Sequence, residues 1–171
     1  MRHIFDIFLL VVILLLIQVL ICNQIALFNV AVPFVYIYVV IRLNLGIGSN
    51  ALFTIAFLTG AAVDIFSDTL GMNSTACLLL AALKRPVLLA YTQKDDESMK
   101  LTPGIYSMGI WDYSKYLFTM VLAYCLIYFG IEFFSLAYAG QILLMGISSA
   151  AITFCILLGI DSLLTPIRER L

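Results

Sequence analysis

The sequence predicts an all-α integral membrane protein: a six-transmembrane-helix bundle with both termini cytoplasmic. Three observations predict it. Of the 171 residues, 64% are hydrophobic and only 11% are charged. Apolar runs recur along the chain at or near the roughly 18 residues that a bilayer crossing needs, and they are apolar all round rather than along one stripe. Finally, when the connections between runs are assigned alternately to two sides, one side holds every Lys and Arg. No stretch is left for a separate soluble domain, so residues 1–171 read as a single transmembrane domain.

Span one covers residues 7–21, almost unbroken Leu, Ile and Val interrupted by Gln18, with Asn23 and Gln24 as a polar exit. Met1, Arg2 and His3 give it a short basic start, as in a secretory signal. The run is long for a signal core, however, no A-x-A site follows, and Leu20 and Ile21 before Cys22 are too bulky for lipoprotein cleavage. It reads as a retained anchor. Span two, 26–41, carries Pro33 and is short; tilt, local thinning or snorkelling of Arg42 accommodates it. Span three is 50–66 and span four is 70–91. Within span four, Lys84-Arg85-Pro86 is expected to end the membrane part, because Pro disfavours a helical conformation at the preceding residue, leaving Val87 to Tyr91 at the interface. Span five is 113–131 and span six is 142–164.

Orientation follows from the basic residues. With the N-terminus inside, the inside segments hold Arg2, Arg42, Lys84, Arg85, Lys94, Lys100, Lys115, Arg168 and Arg170, which are all 9 Lys and Arg of the chain. The outside turns near Asn23–Asn29, Ser67–Asn73 and Glu132–Gln141 hold none. The one sizeable soluble stretch, a cytoplasmic loop over 92–112, mixes charge, Pro and Gly with Trp111, the chain's only Trp. Two roles stay open for it: a solvated connector, or a docking site for a cytoplasmic partner.

The chemistry-bearing residues are few. Cys22, Cys77, Cys125 and Cys155 are far apart, with no CxxC and no paired His, so neither a disulfide, a metal site nor a cofactor is expected. The polar stretch GAAVDIFSDTLGMNS, Gly60 to Ser74, stands out. Asp64 and Asp68, four residues apart, share one helix face if the helix continues that far. A carboxylate within a membrane needs a polar partner or water, so Asp64 is functional or structural by default. Asn73, Ser74 and Thr75 are nearby donors, and the free amides that open span four are suited to a carboxylate. Gly60, Asp64, Asp68, Gly71 and Asn73 are therefore the structural or partner-binding candidates. An aspartyl-protease dyad needs two carboxylates on different helices facing one water. Asp161 on span six would be the second, but it falls near the cytoplasmic end and Asp64 near the outer end, so no enzyme is expected. His3 is terminal and reads as solvated.

Small residues mark close helix contacts: Ala56, Gly60, Ala61 and Ala62 on span three, and Gly146, Ser148, Ser149, Ala150 and Ala151 on span six. Span one, with bulky aliphatics from Phe8 to Ile21, suits lipid or a partner helix packed through side chains.

Spans three and four, FTIAFLTGAAVDIFSDTLGMNSTACLLLAAL, resemble the rod shape-determining protein MreD family. The resemblance rests on the Gly60-x-x-x-Asp64 step, the polar turn closed by Leu70-Gly71 and the small and aliphatic helix that follows. The six-span layout extends it more loosely over the chain. The loop with Pro103 and Gly104 and the Glu132-Phe133-Phe134 turn look like the forms of Bacteroidetes members. The resemblance implies a non-enzymatic multi-pass subunit of the elongation (rod) complex in the bacterial cytoplasmic (inner) membrane, supporting cell-shape control and peptidoglycan synthesis. Its implied partners are an MreC-like single-span protein, with MreB, RodA and the elongation transpeptidase in the same machinery, and membrane lipid; neither nucleic acid nor a small-molecule substrate is expected. That family is similar in fold to the substrate-binding components of energy-coupling-factor vitamin transporters, which supplies the alternative function. Such components usually carry small residues at helical spacing on span one and long outer loops, and this chain shows neither.

The charge pattern makes a topological prediction. Reporter fusions near Lys94 and at Leu171 should read as cytoplasmic and fusions near Met72 as external; an external signal from the Lys94 position would sink the six-span layout.

Overall fold

The longest apolar runs form helices, because a backbone removed from water must satisfy its own N–H and C=O groups. The computed structural model describes residues 11–22, 31–44, 46–92, 102–133 and 139–168. Over these residues the chain is all-helical, with no strand. The elements are α1 (Val11–Leu20), running into a π-helical turn at Gln18–Cys22, then α2 (Ile37–Arg42), α3 (Ser49–Ser67), α4 (Met72–Tyr91), α5 (Ile105–Met108), α6 (Ile110–Phe133) and α7 (Ala139–Arg168). Four stretches are long and apolar enough to cross a membrane: α3, α4, α6 and Gly140–Leu163 of α7.

These four pack in sequence order, α3 on α4, α4 on α6 and α6 on α7. The pairing of α4 with α6 is antiparallel: the Tyr91 hydroxyl meets that of Thr119 at 2.9 Å, and Asn73 meets Tyr124 further along. The closest approach is between α3 and α4. A Cβ on Gly60 would lie 2.5 Å from the Ser74 Cα and 2.7 Å from the Asn73 carbonyl oxygen, so only glycine lets the two backbones come this near. On α7, a Cβ on Gly146 would lie 3.1 Å from Leu126 Cδ2.

In the centre lies a segment where the sequence predicts span two. It differs from a continuous helix over 26–41: residues 23–30 lie outside the described residues, residues 31–34 are not helical, and helix begins only at Ile37. Pro33 explains the break, since it has no N–H to give and restricts its neighbour to extended conformations. From Phe34 to Ile41 every side chain is buried. Phe34 packs on Tyr124, Tyr128 and Phe129 of α6, with ring centroids 5.2, 4.8 and 6.2 Å away.

The backbone of this segment is satisfied by side chains from other helices. Gln18 of α1 accepts from Val35 N–H at 2.8 Å and donates to the Pro33 carbonyl at 3.0 Å. Ser149 and Thr153 of α7 accept from Val32 N–H and Phe34 N–H, each at 3.0 Å. A buried backbone group left without such a partner would cost several kcal/mol.

Two further expectations change. Pro86 does not end α4, which stays helical to Tyr91. Leu88 is buried in the core and Tyr91 is tied to Thr119, so tertiary contacts on the far side hold the turn that lacks one hydrogen bond. Lys84, assigned to an inside polar segment, is fully buried within α4.

Overpacking tests the Gly60 contact. Gly60→Ala should cost about 1–3 kcal/mol, seen as a lower melting temperature in detergent. Gly130→Ala, where nothing lies within 4 Å of the new Cβ, should be neutral or slightly stabilising. Equal melting of both variants would rule out the close approach.

Candidate functional site

The turn between α3 and α4 holds the five sequence candidates, and it is built around one carboxylate. The N-cap of α4 is Gly71, with φ of 78°, a left-handed conformation that glycine adopts freely. Gly71 has no side chain to cap the helix, so the first amides of α4 need an acceptor from elsewhere. Asp64, in the last turn of α3, supplies it. Its Oδ1 accepts from Asn73 N–H at 3.0 Å, from the Asn73 side-chain amide at 3.0 Å and from the Thr69 hydroxyl at 2.6 Å. Its Oδ2 accepts from Ser74 N–H at 2.9 Å and from the Ser74 hydroxyl. The carboxylate also sits at the positive end of the α4 dipole, which favours its charge.

Asp68 plays a different part. The helix stops at Ser67, and Asp68 is the C-cap in the left-handed region with φ of 54°, its side chain exposed. It therefore does not share a face with Asp64, contrary to the continuation the spacing suggested. Its backbone N–H bonds to the Asp64 carbonyl, ending α3. Thr75 returns its hydroxyl to the Gly71 carbonyl at 2.8 Å and takes no part in the carboxylate's shell.

Asn73 carries the network inward. Its Oδ1 accepts from the Tyr36 hydroxyl at 2.9 Å and from the Tyr124 hydroxyl at 3.2 Å, and these two hydroxyls also meet each other. The Asp64 shell is thereby joined to the buried central segment and to α6.

A second polar cluster lies at the other end of α2. The Asp161 carboxylate of α7, fully buried, pairs with Arg42, accepts from the Tyr38 hydroxyl at 2.6 Å and accepts from Ile105 N–H at 3.0 Å. The Arg42 side chain is only 19% exposed and lies over the Tyr38 ring at 5.5 Å. It is an internal ion-pair partner rather than a snorkelling residue. Lys84 donates to the carbonyls of Val40, at 2.7 Å, and Leu43, and the Tyr116 hydroxyl donates to that of Ile41 at 3.2 Å. The last carbonyls of α2 are thus capped by a cation and a phenol from neighbouring helices.

Of the sequence candidates, the structure brings Gly60, Asp64, Gly71 and Asn73 into one contact region, with Asp68 at its exposed rim. Sequence reasoning left out Tyr36, Tyr38, Tyr124, Ser149 and Thr153. Two tyrosines two apart, just past Pro33 in an apolar run, were the available signal; the hydroxyls on α7 read only as small residues.

Removing the Asp64 carboxylate should leave the Asn73 and Ser74 amides and the Thr69 hydroxyl without an acceptor. Asp64→Leu is expected to cost on the order of 3 kcal/mol in thermal unfolding, since hydrogen bonds to a charged group contribute about 1.5–3 kcal/mol each and are not additive. Asp68→Asn, which keeps a residue tolerant of the left-handed conformation, should stay within about 0.5 kcal/mol. Wild-type melting of Asp64→Leu would show that the cap contributes nothing.

Compared with protein-family models, with curated proteins and with solved structures, the chain matches none.

Proposed function

We propose that this chain is a non-enzymatic, MreD-like subunit of the bacterial elongation complex, held in the cytoplasmic membrane by six passes with both termini inside. α1 belongs to the first pass, and the second ends in α2. The subunit binds an MreC-like single-span protein and, through it, supports the machinery that includes MreB, RodA and a transpeptidase. One observation carries this reading beyond the sequence resemblance: the two buried carboxylates are occupied by partners within the chain itself. Both oxygens of Asp64 are filled by donors from Thr69, Asn73 and Ser74, and Asp161 is held by Arg42, Tyr38 and Ile105. The two carboxylates sit in separate shells with no donor in common, which suits a scaffold better than a catalytic pair.

The broken segment before α2 is the feature that a transporter component would share, because discontinuous helices often line substrate sites. Here, though, Val32, Phe34 and Val35 N–H and the Pro33 carbonyl are bonded to Ser149, Thr153 and Gln18. The outward faces are apolar, with Leu143, Leu144, Ile147 and Leu163 exposed on α7. In the scaffold reading these faces meet lipid and the partner's helix.

Affinity purification from native membranes decides between the classes. An MreC-like partner should be recovered, and no vitamin-sized ligand should raise the melting temperature. Recovery of paired ATPase subunits with a coupling membrane subunit, together with a ligand-dependent rise in melting temperature by mass action, would overturn the proposal in favour of the vitamin-transporter component.

A further inference from the structure

Residues 102–108 lead into α6, and they form a self-locked turn. The Ser107 hydroxyl donates to the carbonyls of Thr102 at 2.7 Å and Gly104 at 3.1 Å, and the Ser107 and Met108 amides also bond to Gly104. Pro103 and Gly104 are buried, and Ile105 and Met108 pack on the hydrophobic core. The turn lies directly against the second polar cluster: the Cβ position of Gly104 is 3.7 Å from Arg42 Nη2 and 3.9 Å from Asp161 Oδ2. It is tied to that cluster by the hydrogen bond from Ile105 N–H to Asp161 Oδ2, at 3.0 Å.

Asp161 in turn grips the central segment. Its other oxygen takes Tyr38 and Arg42, and the segment that carries them also carries Tyr36, whose hydroxyl reaches Asn73 in the Asp64 shell. An unbroken series of bonded groups therefore runs from Ile105 through Asp161, α2, Tyr36 and Asn73 to Asp64. We propose that the 102–108 turn is a strap whose hold on Asp161 fixes the central segment, so that releasing the strap loosens the Tyr36–Asn73 contact at the far end of the bundle. The 102–108 turn is thereby coupled to the α3–α4 turn by a mechanical route through α2, whichever partner the protein binds.

The chain carries its own reporter. Cys77 on α4 is fully buried, one helical turn from Asn73, to which the Tyr36 hydroxyl bonds. Cys125 on α6 is equally buried and reports general loosening. Ile105→Pro deletes the N–H donor at the first position of α5, where proline fits, and the extended Gly104 that precedes it (ψ 166°) suits a following proline. Ile105→Ala trims the side chain and keeps the N–H.

In the full-length protein in lipid nanodiscs, alkylation by a small permeant maleimide is followed at each cysteine by peptide mass spectrometry. Ile105→Pro should raise the Cys77 rate at least about tenfold with Cys125 unchanged, as expected when one hydrogen bond to a charged acceptor no longer opposes local opening. Ile105→Ala should label at the wild-type rate. If Ile105→Pro fails to accumulate, Asp161→Asn, which replaces the accepting carboxylate by an amide, is read in the same way. A wild-type Cys77 rate, a rise in step with Cys125, or an equal rise in Ile105→Ala would each overturn the coupling.

Discussion

The rest of the structure depends on a few backbone groups that have no helix to satisfy them. Residues 31–35 run unwound through an apolar bundle, and an amide in such surroundings costs several kcal/mol unless it finds a partner. Gln18 meets the need with an unusual economy: its primary amide has both a donor and an acceptor, and it uses them on the Pro33 carbonyl and the Val35 N–H. Neither a carboxylate nor an ammonium group would do both. Gln18 sits at the start of a π-helical turn, a local widening that helices often adopt at such positions. Ser149 and Thr153 lie four apart on α7, hence on one face, and take the amides of Val32 and Phe34. The placement of α1 and α7 around the centre is fixed by these bonds as much as by packing.

Four ionisable side chains of the interior are stabilised in three different ways. Asp64 lies among amides and hydroxyls at the N-terminal end of α4, where the helix dipole is positive. Lys84 lies among carbonyls at the C-terminal end of α2, where it is negative. Arg42 and Asp161 pair directly, with further hydrogen bonds to the carboxylate from Tyr38 and Ile105 that make such a pair tolerable out of water. In the first two cases the counter-charge is an oriented peptide backbone, which commits the ionic group to one fold geometry and leaves it little freedom to serve a ligand.

How much of this was legible in the sequence depends on whether the signal was local. The long apolar runs gave the four long helices, and the Gly60-to-Asn73 pattern pointed to the α3–α4 turn because every partner of Asp64 lies within ten residues of it. The second span was misjudged over 31–34 because hydropathy does not register an unwound apolar segment; Pro33 was visible, but what compensates for it lies on other helices, at Gln18 of α1 and, more than a hundred residues away, at Ser149 and Thr153 of α7. Lys84 and Arg42 were assigned to polar boundaries for the same reason. A basic residue beside an apolar run reads as a boundary charge, and only the tertiary structure shows a carbonyl cage or a buried Asp161. Spacing of a few residues reveals a cap, whereas a partner from another helix leaves no mark on the local pattern.

The short sequence Tyr36-Ile37-Tyr38-Val39-Val40-Ile41-Arg42 shows why one segment can serve both clusters. At about 100° per residue, side chains two apart on a helical backbone diverge by about 200°, and side chains four apart share a face. Tyr36, already helical in its backbone angles, therefore points away from Tyr38, while Tyr38 and Arg42 point the same way. The hydroxyls of the two tyrosines go accordingly to Asn73 and to Asp161, and Arg42 joins the second. Phenylalanine at either position would fill the same volume without the bond. The phenols thus supply what packing alone lacks in an apolar bundle: a directional contact that fixes the rotation and register of the central segment relative to α4 and α7 at both of its ends.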